Sequence, residues 1–587
     1  MTDVALLTAI ATLFVVIGPL LLLAKGLRLS VIPALILAGL VVGQLDIIDP
    51  DLMLELARLG IAFLVFTFSV QIHTERVRTV VSDTEVVSII QALVLGALGI
   101  LFALLVGFTL EFGIIPGLEL DERLTVEQAL FVGIAAALSS TIVGTALFTR
   151  TKTDILHDYL SNEIDSFSDL LAVFILLVVS GGAFALDPIA TQLGYGVILF
   201  ATAIIVNRYL FGIIERFAGG SDEAMLISIV ALLILFLAAA EFLETSIVVG
   251  AFAAGLAVRH NPIEYSEVFN GLTSIREFFV ALFFATVGAL VALPAPPAVA
   301  TIALGLVVLT VVIKPIVIGT LLVYNGYDRR SAIITGLDLD HVGEFSVIVT
   351  IEAFVLGLLV EPVFEAIILA AAVSMILSNF TRTYDDEIYR LMVDRGLLGK
   401  PSHDIEDWHT VPDDISEHVI IVGYGRQGRR LVTFFEEIDQ PYVVIENNPQ
   451  ALPDLRADCD AYVFGDAIEA ETADVANLEK ARLLISTAEL KPLTDHFLSF
   501  TDTIDVIVRT RELPMAAKLI DQGATYVIVP ELLAADQLAG RLESLLNGEF
   551  DSDELREESL RELDVDRVPP HPSTAEPTTH TENVGKY

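Results

Sequence analysis

Cysteine is all but missing. Cys459 is the only one in 587 residues, so neither an intrachain disulfide nor a cysteine-based metal cluster can form. Positive charge is also short: Lys and Arg number 34 against 76 Asp and Glu, a net charge of −42, and few of the basic residues are lysine. That balance repels phosphate and excludes nucleic acid as a partner. It resembles the acidic, lysine-poor surfaces of proteins from extreme halophiles, where dense salt screens self-repulsion; the plain alternative is an acidic tail. The amino-terminal stretch Met1-Thr2-Asp3-Val4 has no basic region or small-residue cleavage site, and reads as the start of a retained apolar span rather than a secretory signal.

What is abundant is apolar. Hydrophobic residues make up 54% and mean hydropathy is +0.70, far above a soluble protein, so most of the chain is expected in a membrane. Apolar runs continue to about residue 381, roughly thirteen of them at lengths that suit a bilayer. Their centres lie near residues 14, 38, 63, 99, 137, 173, 202, 232, 252, 284, 311, 344 and 371, the second and ninth being short. Cytoplasmic loops collect Lys and Arg. Here Lys25 and Arg28 follow the first run, Arg76 and Arg78 the third, Arg150 and Lys152 the fifth, and Arg208 and Arg216 the seventh. Arg259 and Arg276 follow the ninth, Arg329 and Arg330 the eleventh, and Arg382 the last. Even exits are acidic or neutral except for Arg58 and Arg123. The pattern puts the N-terminus outside a plasma membrane that the chain crosses many times, and everything after Arg382 in the cytoplasm.

After Arg382 short β-branched runs alternate with helical ones, at 418–422, 442–446, 461–464, 482–486, 505–509 and 525–529. This is the βαβ rhythm of a doubly wound parallel sheet. The expected domains are an α-helical membrane part over 1–382, a linker over 383–415, a Rossmann-like α/β domain over 416–548, and an acidic disordered tail over 549–587.

Ionisable residues inside apolar runs are costly and mark functional sites. Asp169 lies about one helical turn beyond Asp165 on the same face, before the apolar stretch Leu170 to Val179. A carboxylate there can hold a cation or a proton but not both strongly; Asp165 reads equally well as a complement to a helix start. Lys314 sits mid-run before Pro315 and needs a counterion, with Asp169 the obvious candidate. Polar interruptions at Ser139-Ser140-Thr141 and at Asp338-Leu339-Asp340-His341-Val342-Gly343-Glu344 mark discontinuous helices whose ends face a midplane site.

These elements together resemble the monovalent cation:proton antiporters, in the branch with Kef-type potassium efflux systems. The matching residues are Leu138 to Thr141, Ser168-Asp169-Leu170-Leu171-Ala172-Val173, Gly250-Ala251-Phe252-Ala253-Ala254-Gly255, Phe283-Phe284-Ala285-Thr286-Val287-Gly288 and Gly343-Glu344-Phe345. The resemblance implies inverted repeats with crossed broken helices, an elevator-like movement and a homodimer. It also implies an ion and proton site at Asp169, with Ser168, Ser140, Thr141, Lys314 and Glu344 around it and Na+ or K+ as the transported ion. Ser168 departs from the Asp, Asn or Gln that such proteins carry before the carboxylate, which leaves the proton-to-cation stoichiometry open.

The stretch Val422-Gly423-Tyr424-Gly425-Arg426-Gln427-Gly428 holds both VGYG, the letters of a potassium filter, and G-x-G-x-x-G, a dinucleotide turn. It follows an expected strand, opens an expected helix and precedes an acidic strand end at Glu446, and it lies beyond the last apolar run, so it reads as the nucleotide turn. Gly423 then permits the tight turn, Gly425 the approach of pyrophosphate and Gly428 helix packing, while Glu446 takes the ribose hydroxyls. The domain resembles the regulator-of-potassium-conductance nucleotide-binding domain through Gly423-Tyr424-Gly425-Arg426, Glu446 and Gly465-Asp466-Ala467. That implies a regulatory NAD(H) or adenine nucleotide and pairing of two such domains, with no cofactor for transport itself. The leading expectation is an exchanger of Na+ or K+ for H+. A nucleotide-gated potassium channel is the alternative, and an NAD-dependent membrane oxidoreductase lacks a second redox centre.

Overall fold

The computed structural model describes residues 2–26, 31–45, 50–71, 83–111, 124–139, 155–218, 221–259, 266–325, 327, 329–395, 409–412, 414–448, 451–489, 491–501, 503–511 and 513–547. The chain divides into two compact units, Met1–His73 with Val81–Asp404 and Thr74–Val80 with Ile405–Tyr587.

The first unit is helical. Each of the thirteen expected centres falls on a helix or on a widened turn within one. Six described helices, not thirteen, are long and apolar enough by themselves to cross a membrane: Leu52–Val70, Thr84–Thr109, Leu186–Ala218, Asp222–Phe242, Pro297–Tyr324 and Glu361–Thr383. Leu93, Leu105, Ile198, Ile227, Leu235, Leu304 and Ile316 stay exposed on such helices, the surface that a lipid environment covers. The helix Ile155–Val179 falls outside the six because Glu163, Asp165 and Asp169 interrupt its apolar sequence.

Two of the thirteen centres sit at breaks. The helix Val126–Ala137 ends with Leu138 in extended backbone, and a second chain break, 339–343, separates the helix Arg329–Asp338 from Glu344–Val355. A third irregularity is a π-type turn at Leu309–Ile313, immediately before Lys314 and Pro315. Pro315 has no N–H to donate and its ring crowds the preceding turn, so that turn widens instead of breaking.

The second unit is a six-stranded parallel sheet in the order β3-β2-β1-β4-β5-β6. Its strands are β1 Val419–Val422, β2 Tyr442–Glu446, β3 Tyr462–Phe464, β4 Leu483–Ser486, β5 Asp505–Arg509 and β6 Tyr526–Ile528. Strand order reverses between β1 and β4, which opens a crevice at the carboxyl ends of those two strands. Both faces are covered: Ile420 and Val422 join one core, Val419 and Ile421 the other, as alternation along a strand requires. The stretch expected as a linker is partly built into this unit. His409 bridges Val463, Thr410 bonds to Tyr462, and Val411 is buried in the core. The expected tail lies outside the described residues.

Candidate functional site

The two breaks cross. A Cβ placed on Gly343 would lie 2.7 Å from the Ser139 carbonyl oxygen, so only glycine lets the backbones approach this closely. Helix ends leave carbonyls without internal partners, and at this crossing side chains from other helices supply the donors. Lys314 Nζ donates to Leu138 O at 2.9 Å and to His341 O at 3.0 Å, one carbonyl from each break. Gln91 reaches Ala137 O at 3.4 Å, and Ser346 Oγ reaches Ala135 O at the same distance. The Glu361–Thr383 helix holds the second break: Ser374 Oγ accepts from Val342 N, Ser378 Oγ meets His341 Nδ1, and Thr381 Oγ1 donates to Asp340 Oδ2 at 2.6 Å.

Asp169 is buried in the Ile155–Val179 helix, and its Oδ1 has no hydrogen-bond partner. The carboxylates that act on its charge are Asp165 and Glu344. Glu344 is buried in the first turn of its helix, where the macrodipole favours negative charge. Ser139 is fully buried, and its hydroxyl is likewise without a partner. Buried oxygen atoms left without a donor are what a cation or an added proton satisfies. Ser168 is buried too, with its hydroxyl proton spent on Ile164 O one turn back, so it offers a cation lone pairs but no further donor. Ser140 and Thr141 lie outside the described residues.

The expected Lys314–Asp169 pair does not form. Among the described residues no ion pair joins them; the ammonium is aimed at the carbonyls freed by the two breaks, a stronger claim on its donors than a carboxylate farther off. The carboxylates whose charge acts most on Lys314 are Asp340 and then Asp165. Sequence reading named Asp340 only within the polar interruption and gave it no role of its own, although a second acid inside an interrupted apolar run was the available signal. It also missed a group one turn and more before the site. His157 Nε2 lies 3.8 Å from Asp338 Oδ2, Ser161 Oγ donates to the same oxygen, and Arg382 Nε stands 3.5 Å from Asp338 Oδ1. His157, Ser161, Asp165 and Asp169 recur every fourth residue and are all buried, which makes one polar file along the helix.

In the second unit VGYG spans the end of β1 and the turn after it, beside the crevice of a folded sheet. Gly423 has φ +96°, and a Cβ there would meet Thr487 Oγ1 at 2.6 Å. A Cβ on Gly428 would collide with the Gly423 carbonyl, so glycine there lets the following helix pack close against the turn. A Cβ on Gly425 would meet nothing within 4 Å, so the turn is open where a phosphate approaches. The helix Arg426–Glu437 that starts there has no side chain capping its first N–H groups, and Arg426 is exposed at its mouth. These features fit a phosphate-bearing nucleotide.

Glu446, expected to take the ribose hydroxyls, is already engaged in part by the turn. Its Oε2 accepts from Tyr424 N, and its Oε1 accepts from Asn447 N and Asn448 N at 2.8 and 2.7 Å. A carboxylate has about four acceptor positions, so three are already committed to shaping the turn. Asp466 Oδ1 similarly accepts from Ile468 N in the loop after β3. Tyr424 points into the core under the turn, its hydroxyl donating to Asp458 and its ring beneath Arg429, with burial pushing the phenol above its ordinary range. Gln427 faces the crevice, where its Oε1 accepts from Arg509 Nη1 at 3.4 Å. Arg509 closes β5, also donates to Thr487 O at 3.2 Å, and keeps a buried Nε without a partner. A basic residue at the carboxyl end of a strand was its sequence signal.

The profile of the family described as "Sodium/hydrogen exchanger, transmembrane" matches residues 10–383, and that of the "TrkA-N domain" matches residues 419–530. The putative K+ efflux antiporter KefB of Alkalimonas amylolytica is 27% identical over 541 residues, covering 88% of this chain and 78% of that protein. The putative cation/proton antiporter YbaL of Escherichia coli K12 is 27% identical over 552 residues, covering 90% and 95%. Among solved structures, the TrkA-N domain of the E. coli inner membrane protein YbaL is 30% identical; it covers 22% of this chain and 98% of that one, with a TM-score of 0.21.

Proposed function

The chain belongs to the sodium/hydrogen exchanger family, and from that premise we propose that it exchanges a monovalent cation, Na+ or K+, for H+ across the plasma membrane. The carrying observation is Asp169: a buried carboxylate with an oxygen that nothing in the chain satisfies, next to two crossed helix breaks. A cation and a proton compete for that oxygen, so uptake of one releases the other. Ser139, Ser168 and Glu344, with Ser140 and Thr141, supply the remaining oxygens around the ion, and Lys314 fixes the crossing. K+ efflux relatives support K+ as the ion, while the cation/proton relative leaves Na+ open. Basic odd-numbered loop exits support an external N-terminus and a cytoplasmic second unit.

The second unit regulates exchange by binding NAD(H) or an adenine nucleotide at the Gly423–Gly428 turn. Open space at Gly425 and the uncapped helix start support phosphate there, and Arg509 supports a second anionic contact across the crevice. Exposed Leu538, Leu542 and Leu546 recur every fourth residue on the Pro530–Leu546 helix, which supports pairing with a second copy. Transport involves no covalent chemistry and so no catalytic cofactor.

The test uses the full chain in proteoliposomes with an imposed pH gradient. Added K+ or Na+ should dissipate the gradient, and Asp169→Asn should abolish the cation-dependent part. Cation-dependent exchange retained in that variant would remove Asp169 from the mechanism, and cation flux indifferent to the gradient would make the protein a channel.

A further inference from the structure

Lys314 is wholly buried, yet its two hydrogen bonds go to neutral carbonyls, and no ion pair holds it among the described residues. A buried ammonium needs a compensating charge nearby even where it needs no direct contact. Two carboxylates compete for that role, and they are held differently. Asp165 shares the helix face of Asp169 and acts on its charge. Asp340 lies in the break itself and is fully buried, with Oδ2 fixed by Thr381 and Oδ1 left without a hydrogen bond. Its neighbour in the chain is His341, whose carbonyl accepts from Lys314 Nζ, so the ammonium is tied to the backbone segment that carries the carboxylate.

We infer that Asp340 is the standing counter-charge of Lys314, a positioning residue that leaves Asp169 free to carry the exchanged ion. The inference rests on the exchanger reading for its consequence in transport, though not for the charge pairing itself. With Lys314 and Asp340 cancelling, the charge on Asp169 is left for either a cation or a proton to neutralise. Were Asp169 committed to Lys314, the cation would first have to displace an ammonium.

The pairing is tested with Asp340→Asn, Lys314→Gln and the double variant, beside Asp165→Asn alone and with Lys314→Gln. Gln keeps two N–H donors for the two carbonyls while removing the charge. Two readouts are taken on the full chain: melting temperature in detergent, and the initial rate of cation-driven dissipation of a pH gradient. Each change at 340 or 314 should strand a buried charge, lowering the melting temperature and slowing exchange about tenfold or more, while the double variant should exceed both singles in each readout. Asp165→Asn should show no such rescue by Lys314→Gln. A double variant no better than the worse single, or one that fails to fold as the singles do, overturns the inference. So does rescue confined to the Asp165 pair. If the wild type exchanges nothing, the melting temperatures still decide the pairing, so failure of the exchanger reading stays separate.

Discussion

Gly343→Ala puts the crossing to its sharpest test. The added Cβ would lie 2.7 Å from Ser139 O, 2.8 Å from its carbonyl carbon and 3.3 Å from Leu138 O. An ordinary carbon-to-oxygen contact is about 3.3 Å or more, so the two breaks must separate by roughly half an ångström. Overpacking of that kind costs about 1–3 kcal/mol. The displacement also falls on Leu138 O, which Lys314 Nζ holds at 2.9 Å; stretched by that amount, a charge-assisted bond of about 1.5–3 kcal/mol is weakened or lost. With the bond lost, the effects together come to about 2.5–6 kcal/mol, concentrated at the exchange site. The control is Gly194→Ala, where a Cβ would meet nothing within 4 Å in the helix Leu186–Ile205. There the better helix former should be neutral or stabilising by about 0.5–1 kcal/mol. The assay is thermal unfolding of both variants with cation-driven gradient dissipation in proteoliposomes. Gly343→Ala should lose stability and nearly all exchange, while Gly194→Ala keeps both. Equal behaviour of the two variants would refute the crossing as the determinant.

Two further outcomes concern the second unit. Arg509→Met should weaken NAD or AMP binding by the full chain about 10- to 150-fold, the worth of one charge-assisted hydrogen bond, as read by calorimetry; unchanged affinity would remove Arg509 from the site. Cys459 is buried and its thiol is pushed up to about 11 by that burial, so iodoacetamide at pH 8 should find about two hundred times less thiolate than at an ordinary cysteine. The thiolate fraction, and with it the labelling rate, should rise about tenfold per pH unit toward pH 10. Rapid labelling of the folded chain at pH 8 would show that the thiol is not enclosed.

Much of the architecture is determined by the sequence because it depends on local period and composition. Apolar runs placed the membrane helices. Strand runs at 418–422 and 442–446 became β1 and β2 within a residue, since a parallel strand buried on both faces reads as an unbroken β-branched run. The G-x-G-x-x-G pattern, with its strand before and helix after, placed the turn that VGYG alone could not. Gly423 shows why: its φ of +96° is a backbone requirement that only glycine meets freely.

The partners of charged groups were decided only by the tertiary structure. Sequence placed Lys314 and Asp169 in apolar runs and suggested that they pair, but which acceptor an ammonium reaches depends on which backbone carbonyls the crossing leaves open. Leu138 and His341 are far apart in sequence and meet only because Gly343 lets two breaks touch. Glu446 likewise sits where the pattern put it, at the end of β2, yet its oxygens are engaged by N–H groups that the folded turn directs at it. Position along the chain is set by periodicity, which is local; the direction of a hydrogen bond is set by the packing of segments that sequence distance does not relate.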